Sequence, residues 1–126
     1  MDFRNKKILL TGGCSGIGKI MARKSLERGV KKLVIWDINS EALATTKHEF
    51  QTLGGEIFTY NVDVSNLDEV KIAAQRVRTE VGKIDVLINN AGIVVGKYFH
   101  EHNHDEIQKS MLINSNAFMH IGLEFL

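Results

Sequence analysis

The sequence predicts an α/β fold built on a doubly wound parallel sheet. Three observations carry this reading. Short continuous apolar runs alternate with longer segments of helical periodicity. A glycine-rich turn, Thr11 to Gly18 (TGGCSGIG), joins the first run to the first helical segment. The second run, Leu33-Val34-Ile35-Trp36, ends in an acid, Asp37. Strand, glycine turn, helix, strand and terminal acid, in that order, are the parts of a nucleotide-binding crossover.

The first strand is expected near 6–11 and the first helix over 16–29, closed by Gly29. In the turn between them Gly12 can take a positive φ, Gly16 lets the backbone approach a pyrophosphate, and Gly18 lets the helix pack closely on the strand. Backbone N–H groups around Ser15 and Ile17 lack intrahelical acceptors and face the anion. Cys14 sits in the same loop as a small buried filler. The second strand follows at 32–37 and the second helix at 40–53, capped by Ser40 and closed by Gly54-Gly55. A third strand at 56–62 leads to a third helix at 66–81, with Ser65 as its cap and Asp68 at its positive end. Val70, Ala74, Val77 and Val81 share one face of that helix. The fourth strand is expected at 84–89, and one long helix over 104–126. Continuously apolar strands must be covered on both faces. Right-handed crossovers then order them 3-2-1-4, a Rossmann-like sheet.

With 126 residues the chain suffices for one small domain, 1–126, around a single core. Its 16 basic and 15 acidic residues leave a net charge of +1, so there is no electrostatic footprint for nucleic acid or an anionic membrane. No stretch approaches the roughly 20 apolar residues of a spanning helix. The segment Met1–Lys7 is too polar for a signal peptide, and the single cysteine leaves no internal disulfide. Both features lead to the expectation of a reducing cytoplasm.

The T-G-x-x-x-G-I-G spacing of Thr11–Gly18 does not stand alone. With Asp63-Val64, Asn89-Asn90-Ala91-Gly92 and Ile113-Asn114, it resembles the short-chain dehydrogenase/reductase family over essentially the whole chain. The run LVIWDIN and the late LEFL resemble a branch of that family that oxidises steroids, retinol and other lipophilic alcohols. The resemblance implies an NAD(P)-dependent oxidoreductase acting on a small-molecule alcohol/ketone pair, lipophilic in that branch, and a homodimer or homotetramer at full length. Family members are longer and add at least two strands beyond the fourth. The chain is therefore expected to be the N-terminal, cofactor-binding half of such an enzyme, with its fourth strand left as an apolar edge. The alternative is a non-catalytic dinucleotide-binding module that senses NAD.

Asp37 is the expected cofactor selector. Its carboxylate can accept from the ribose 2′- and 3′-hydroxyls, and it would repel a 2′-phosphate by up to about 4 kcal/mol at contact distance near a surface. Ile38 follows where phosphate-using relatives often carry arginine, so NAD is preferred over NADP. By resemblance, Asp63 accepts from the adenine amino group and Val64 packs on the ring. Asn89 ties neighbouring strands together through its side chain. Asn90, Ala91, Gly92 and Ile113 border the cofactor, the small residues leaving room for its riboses, and the Thr11 hydroxyl braces that segment. Asn114 is the one catalytic residue the resemblance places, holding a water that links the family's lysine to solvent; Asn116 competes for the role.

The family's Tyr-x-x-x-Lys is missing. Val64 stands four residues after Tyr60, and His102 four after Tyr98. His100, His102 and His104, with Glu101 and Asp105, have a superficially metal-like spacing. Their alternation would align the imidazoles only on an extended segment, and this stretch runs into a helix start, so a solvated loop and no metal are expected.

Overall fold

Four strands, β1 (Lys7–Thr11), β2 (Lys32–Asp37), β3 (Glu56–Asn61) and β4 (Val86–Ile88), form one parallel sheet in the order β3-β2-β1-β4. The computed structural model describes all 126 residues. Helices α1 (Gly16–Glu27), α2 (Ser40–Phe50) and α3 (Leu67–Glu80) connect the strands, and α4 (His104–Met111) and α5 (Ala117–Phe125) follow β4.

The two-residue period of a strand divides the core into two layers. Ile8 and Leu10 of β1, with Leu33 and Ile35 of β2, pack against Ala22 and Leu26 of α1 and Leu43 and Phe50 of α2. Leu9, Val34 and Trp36 point the other way, onto Val70, Ala74 and Val77 of α3 and Ala117 and Ile121 of α5. All of these strand residues are fully buried, which is why β1 and β2 read as unbroken apolar runs.

The helix starts correct the expected caps by one residue. Asn39, not Ser40, caps α2: it is extended (φ −95°, ψ 101°), and its Oδ1 accepts from Ala42 N–H at 3.0 Å. Asn66, not Ser65, caps α3, accepting from the N–H groups of Asp68 and Glu69. The Ser65 hydroxyl instead donates to Asp63 Oδ1 at 2.6 Å. In each case the side chain that reaches the orphan amides is an asparagine beside the expected serine. The expected second helix also stops early, and Gln51–Leu53 tighten into a 3₁₀ turn.

The expected late helix is present and runs without interruption over 104–125, with one irregular turn. Leu112–Asn116 form a π-helical turn between α4 and α5. Beyond β4 the sheet ends: β4 pairs only with β1, and its outer edge has no strand partner. No helix is long and apolar enough to cross a membrane.

Candidate functional site

A cleft of about 310 Å³ opens at the carboxyl ends of the strands, where the chain order reverses between β1 and β4. Gly12 and Ser15 form its first wall. Gly12 has φ +68°, and a Cβ on it would lie 3.0 Å from the Ala91 Cα. A Cβ on Gly18 would stand 2.0 Å from the Gly12 carbonyl oxygen, so the close packing expected there is onto the loop itself. No side chain caps α1, and the first backbone bond of this turn runs from Lys19 N–H to Ser15 O. The N–H groups of Gly16, Ile17 and Gly18 are left without a protein acceptor. A cradle with no room for a side chain and three free donors at a helix start fits a dinucleotide pyrophosphate.

Trp36, Asp37 and Ile38, at the end of β2, form the second wall. The Asp37 carboxylate is held by two backbone donors: Oδ2 accepts from Cys14 N–H and Oδ1 from Asn39 N–H, each at 3.1 Å. Asp37 thus joins the glycine loop to the start of α2. The Cys14 side chain packs into the core instead of lining the cleft, and burial pushes its thiol up to about 11. A thiol so placed is an unreactive filler.

Asp63 and Val64 close the far end beyond β3. Asp63 Oδ1 accepts from both the backbone and the hydroxyl of Ser65, while its other oxygen makes no hydrogen bond. On the β4 side, Thr11 Oγ1 accepts from the N–H groups of Asn90 and Ala91, each at 3.0 Å. That bracing matches the expectation for Thr11. The expected role of Asn89 does not hold. Its Oδ1 is buried without a partner, and Asn90 makes the tie, donating from Nδ2 to Thr11 O and Gly12 O. The reason is topological: in the sheet β4 has only β1 beside it, and Asn90 is the residue whose side chain reaches the end of β1.

Thr11→Val keeps the shape of this buried side chain and deletes the acceptor of two amides. Each orphaned donor costs about 1–3 kcal/mol. The Tm is expected to fall by roughly 10 °C in thermal unfolding followed by circular dichroism. A change within about 2 °C would show that water replaces the hydroxyl without loss.

Lys109 and Ile113 supply the last wall. The π turn carries the neighbours Ile113 and Asn114. Ile113 lines the cleft. Asn114 clamps the backbone of Ile93, its Oδ1 accepting from Ile93 N–H at 2.8 Å and its Nδ2 donating to Ile93 O at 2.9 Å. Asn114, not Asn116, makes this contact. The histidines lie outside it: His100 stacks on Tyr98 at 6.0 Å, and His102 Nδ1 sits 3.0 Å from Tyr98 O.

Nine expected residues thus line one cleft: Gly12, Ser15, Asp37, Ile38, Asp63, Val64, Ala91, Gly92 and Ile113. Cys14, Gly16, Ile17, Gly18, Asn90 and Asn114 shape its surroundings. Trp36, Val62, Ile93 and Lys109 were missed. The signal for Lys109 was its place one helical turn before Ile113.

The family profile of the short chain dehydrogenases matches residues 6–126. Human short-chain dehydrogenase/reductase 3 is 39% identical over 114 residues, which are 90% of this chain and 38% of that protein. Mouse epidermal retinol dehydrogenase 2 is 37% identical over 120 residues, 94% of this chain and 38% of its own length. The chain therefore spans less than half the length of the curated relatives it matches. Among solved structures, an NAD⁺-bound xylitol dehydrogenase superposes with a TM-score of 0.91 at 28% identity, covering 99% of this chain and 48% of that one.

Proposed function

Since the chain belongs to the short-chain dehydrogenase family, we propose that its cleft binds NAD and that it forms the cofactor-binding half of an alcohol/ketone oxidoreductase. The observation that carries this is the joining of three elements around one cleft: the free amides of α1, the Asp37 carboxylate, and the small Ala91-Gly92 wall. The open edge of β4 and the partial coverage of the relatives support the reading as a half. Further strands of a longer protein would pair with that edge. Lipophilic alcohols are the proposed substrate class, since the relatives include retinol and estradiol dehydrogenases.

When bound, the nicotinamide supplies hydride acceptance from a carbinol carbon, or the reverse. This chain's residues do the holding. The amides of Gly16, Ile17 and Gly18 receive the pyrophosphate, and the lone pairs of Asp37 left over by Cys14 and Asn39 receive the ribose hydroxyls. Asn114 is a positioning residue that fixes the Ile93 backbone at the cleft's edge.

Cofactor choice tests the reading. Asp37→Ala removes the charge but also strands the Cys14 and Asn39 amides, so it should weaken NADH and NADPH together as well as lose discrimination. Asp37→Ser with Ile38→Arg keeps an acceptor at the loop and adds a phosphate partner. Its NADPH-to-NADH affinity ratio, measured by calorimetry, should rise at least about tenfold. Equal affinity of the unsubstituted protein for both cofactors would overturn the assignment of Asp37.

A further inference from the structure

We propose that Lys109 is a cofactor-binding residue that holds the adenine end of the dinucleotide, an inference that rests on the NAD reading of the cleft. Lys109, an exposed residue of α4, stands four residues before Ile113, and both line the cleft together with Ile38 and Asp63. It is the only cation among the lining residues, against two carboxylates, Asp37 and Asp63.

The ordinary role of such a lysine is a surface pair on its own helix, and that role is not taken. Asp105, at the favourable i, i+4 spacing, forms no ion pair with it. Glu106, three residues back, is held by Lys97 and by the backbone N–H of Asn103. The Lys109 ammonium thus has three donors and no protein acceptor, beside a cleft that already carries negative charge.

Adenine complements this end of the cleft. Its amino group donates, matching the Asp63 oxygen that makes no hydrogen bond. Its ring nitrogens accept, matching the ammonium, and its electron-rich face attracts a cation. The positive charge also offsets the repulsion that Asp37 and Asp63 exert on an incoming pyrophosphate. The role is in binding only.

The test is calorimetric binding to the full chain with Lys109→Met, which keeps the apolar stem and removes the charge, and with Lys109→Arg, which restores it. NADH and ADP-ribose should each bind about five- to tenfold more weakly to Lys109→Met. Reduced nicotinamide mononucleotide, which lacks adenosine, should bind unchanged, and Lys109→Arg should recover most of the loss. Unchanged Kd values for NADH and ADP-ribose would overturn the proposal while leaving the NAD site standing. An equal loss for the mononucleotide would overturn the placement at adenine. So would a loss for NADPH at least tenfold greater than for NADH, which would move the contact to the 2′-phosphate. Failure of the unsubstituted chain to bind either NADH or ADP-ribose would instead strike the NAD reading itself, and this proposal with it.

Discussion

Gly18→Ala is expected to abolish dinucleotide binding and to lower the Tm by roughly 5–10 °C. The added Cβ would stand 2.0 Å from the Gly12 carbonyl oxygen and 2.5 Å from Asn90 Nδ2. Neither neighbour can yield cheaply. Gly12 is backbone in a tight turn, and Asn90 is held by Thr11 and Gly12. Relief requires the start of α1 to lift away from the loop, which misaims the three free amides and loosens the tie to the segment after β4. Gly122→Ala is the control: it lies in α5, where a Cβ meets nothing within 4 Å. There the substitution should stabilise by about 0.5–1 kcal/mol and leave binding alone. Calorimetry with NADH and a thermal melt read both effects. An unchanged Kd in Gly18→Ala would mean that the cofactor does not lie on this loop.

The second large effect concerns turnover. The 126-residue chain alone is expected to produce no NADH from secondary alcohols, even when it binds NAD. Neither tyrosine is placed to exchange a proton with a substrate. Tyr60 is buried between β3 and α3, its hydroxyl donating to Glu80 Oε2 at 2.6 Å, and burial together with that carboxylate pushes its phenol up. Tyr98 is exposed on the loop before α4, with His102 instead of lysine four residues on. Loss of a tuned acid–base group removes about 10²–10⁴-fold of rate. The assay is NADH absorbance on the purified chain with intact mass confirmed. Steady turnover would show that another group of this chain transfers the proton, whereas binding without turnover is equally what an NAD-sensing module would give. Extending the chain separates those two: an enzyme gains turnover when the missing tyrosine and lysine are supplied.

The sheet was legible because its strands are buried on both faces and so read as unbroken apolar runs; order 3-2-1-4 followed from handedness. The convergence of the glycine loop and Asp37 on one cleft was legible from the order of strand, turn and acid, and the Thr11 hydroxyl bonds where it was expected to. What failed lay between chemically similar neighbours. Ser40 and Asn39, Ser65 and Asn66, and Asn89 and Asn90 are adjacent pairs in which either member could do the work. Only the backbone angle and the local neighbour decide. The π turn was invisible because the apolar period of Ile113, Ala117 and Ile121 is also that of an uninterrupted helix. Lys109 escaped notice because an isolated lysine on a helix is ordinarily solvated, and its lack of a partner is a fact of three dimensions.

The Thr11 hydroxyl bonds groups 79 and 80 positions away along the chain. Neighbouring strands elsewhere are nearer: Lys7 lies opposite Lys32, and Lys32 opposite Glu56. Closing a span of that greater length costs on the order of 4 kcal/mol of chain entropy beyond the fixed term. The cradle is therefore whole only where β4 lies against β1 and Asn90 settles against Thr11. A dinucleotide bound there would act as a latch on β4. Its stabilisation should be felt as slower release of β4, with the rest of the sheet protected only in consequence.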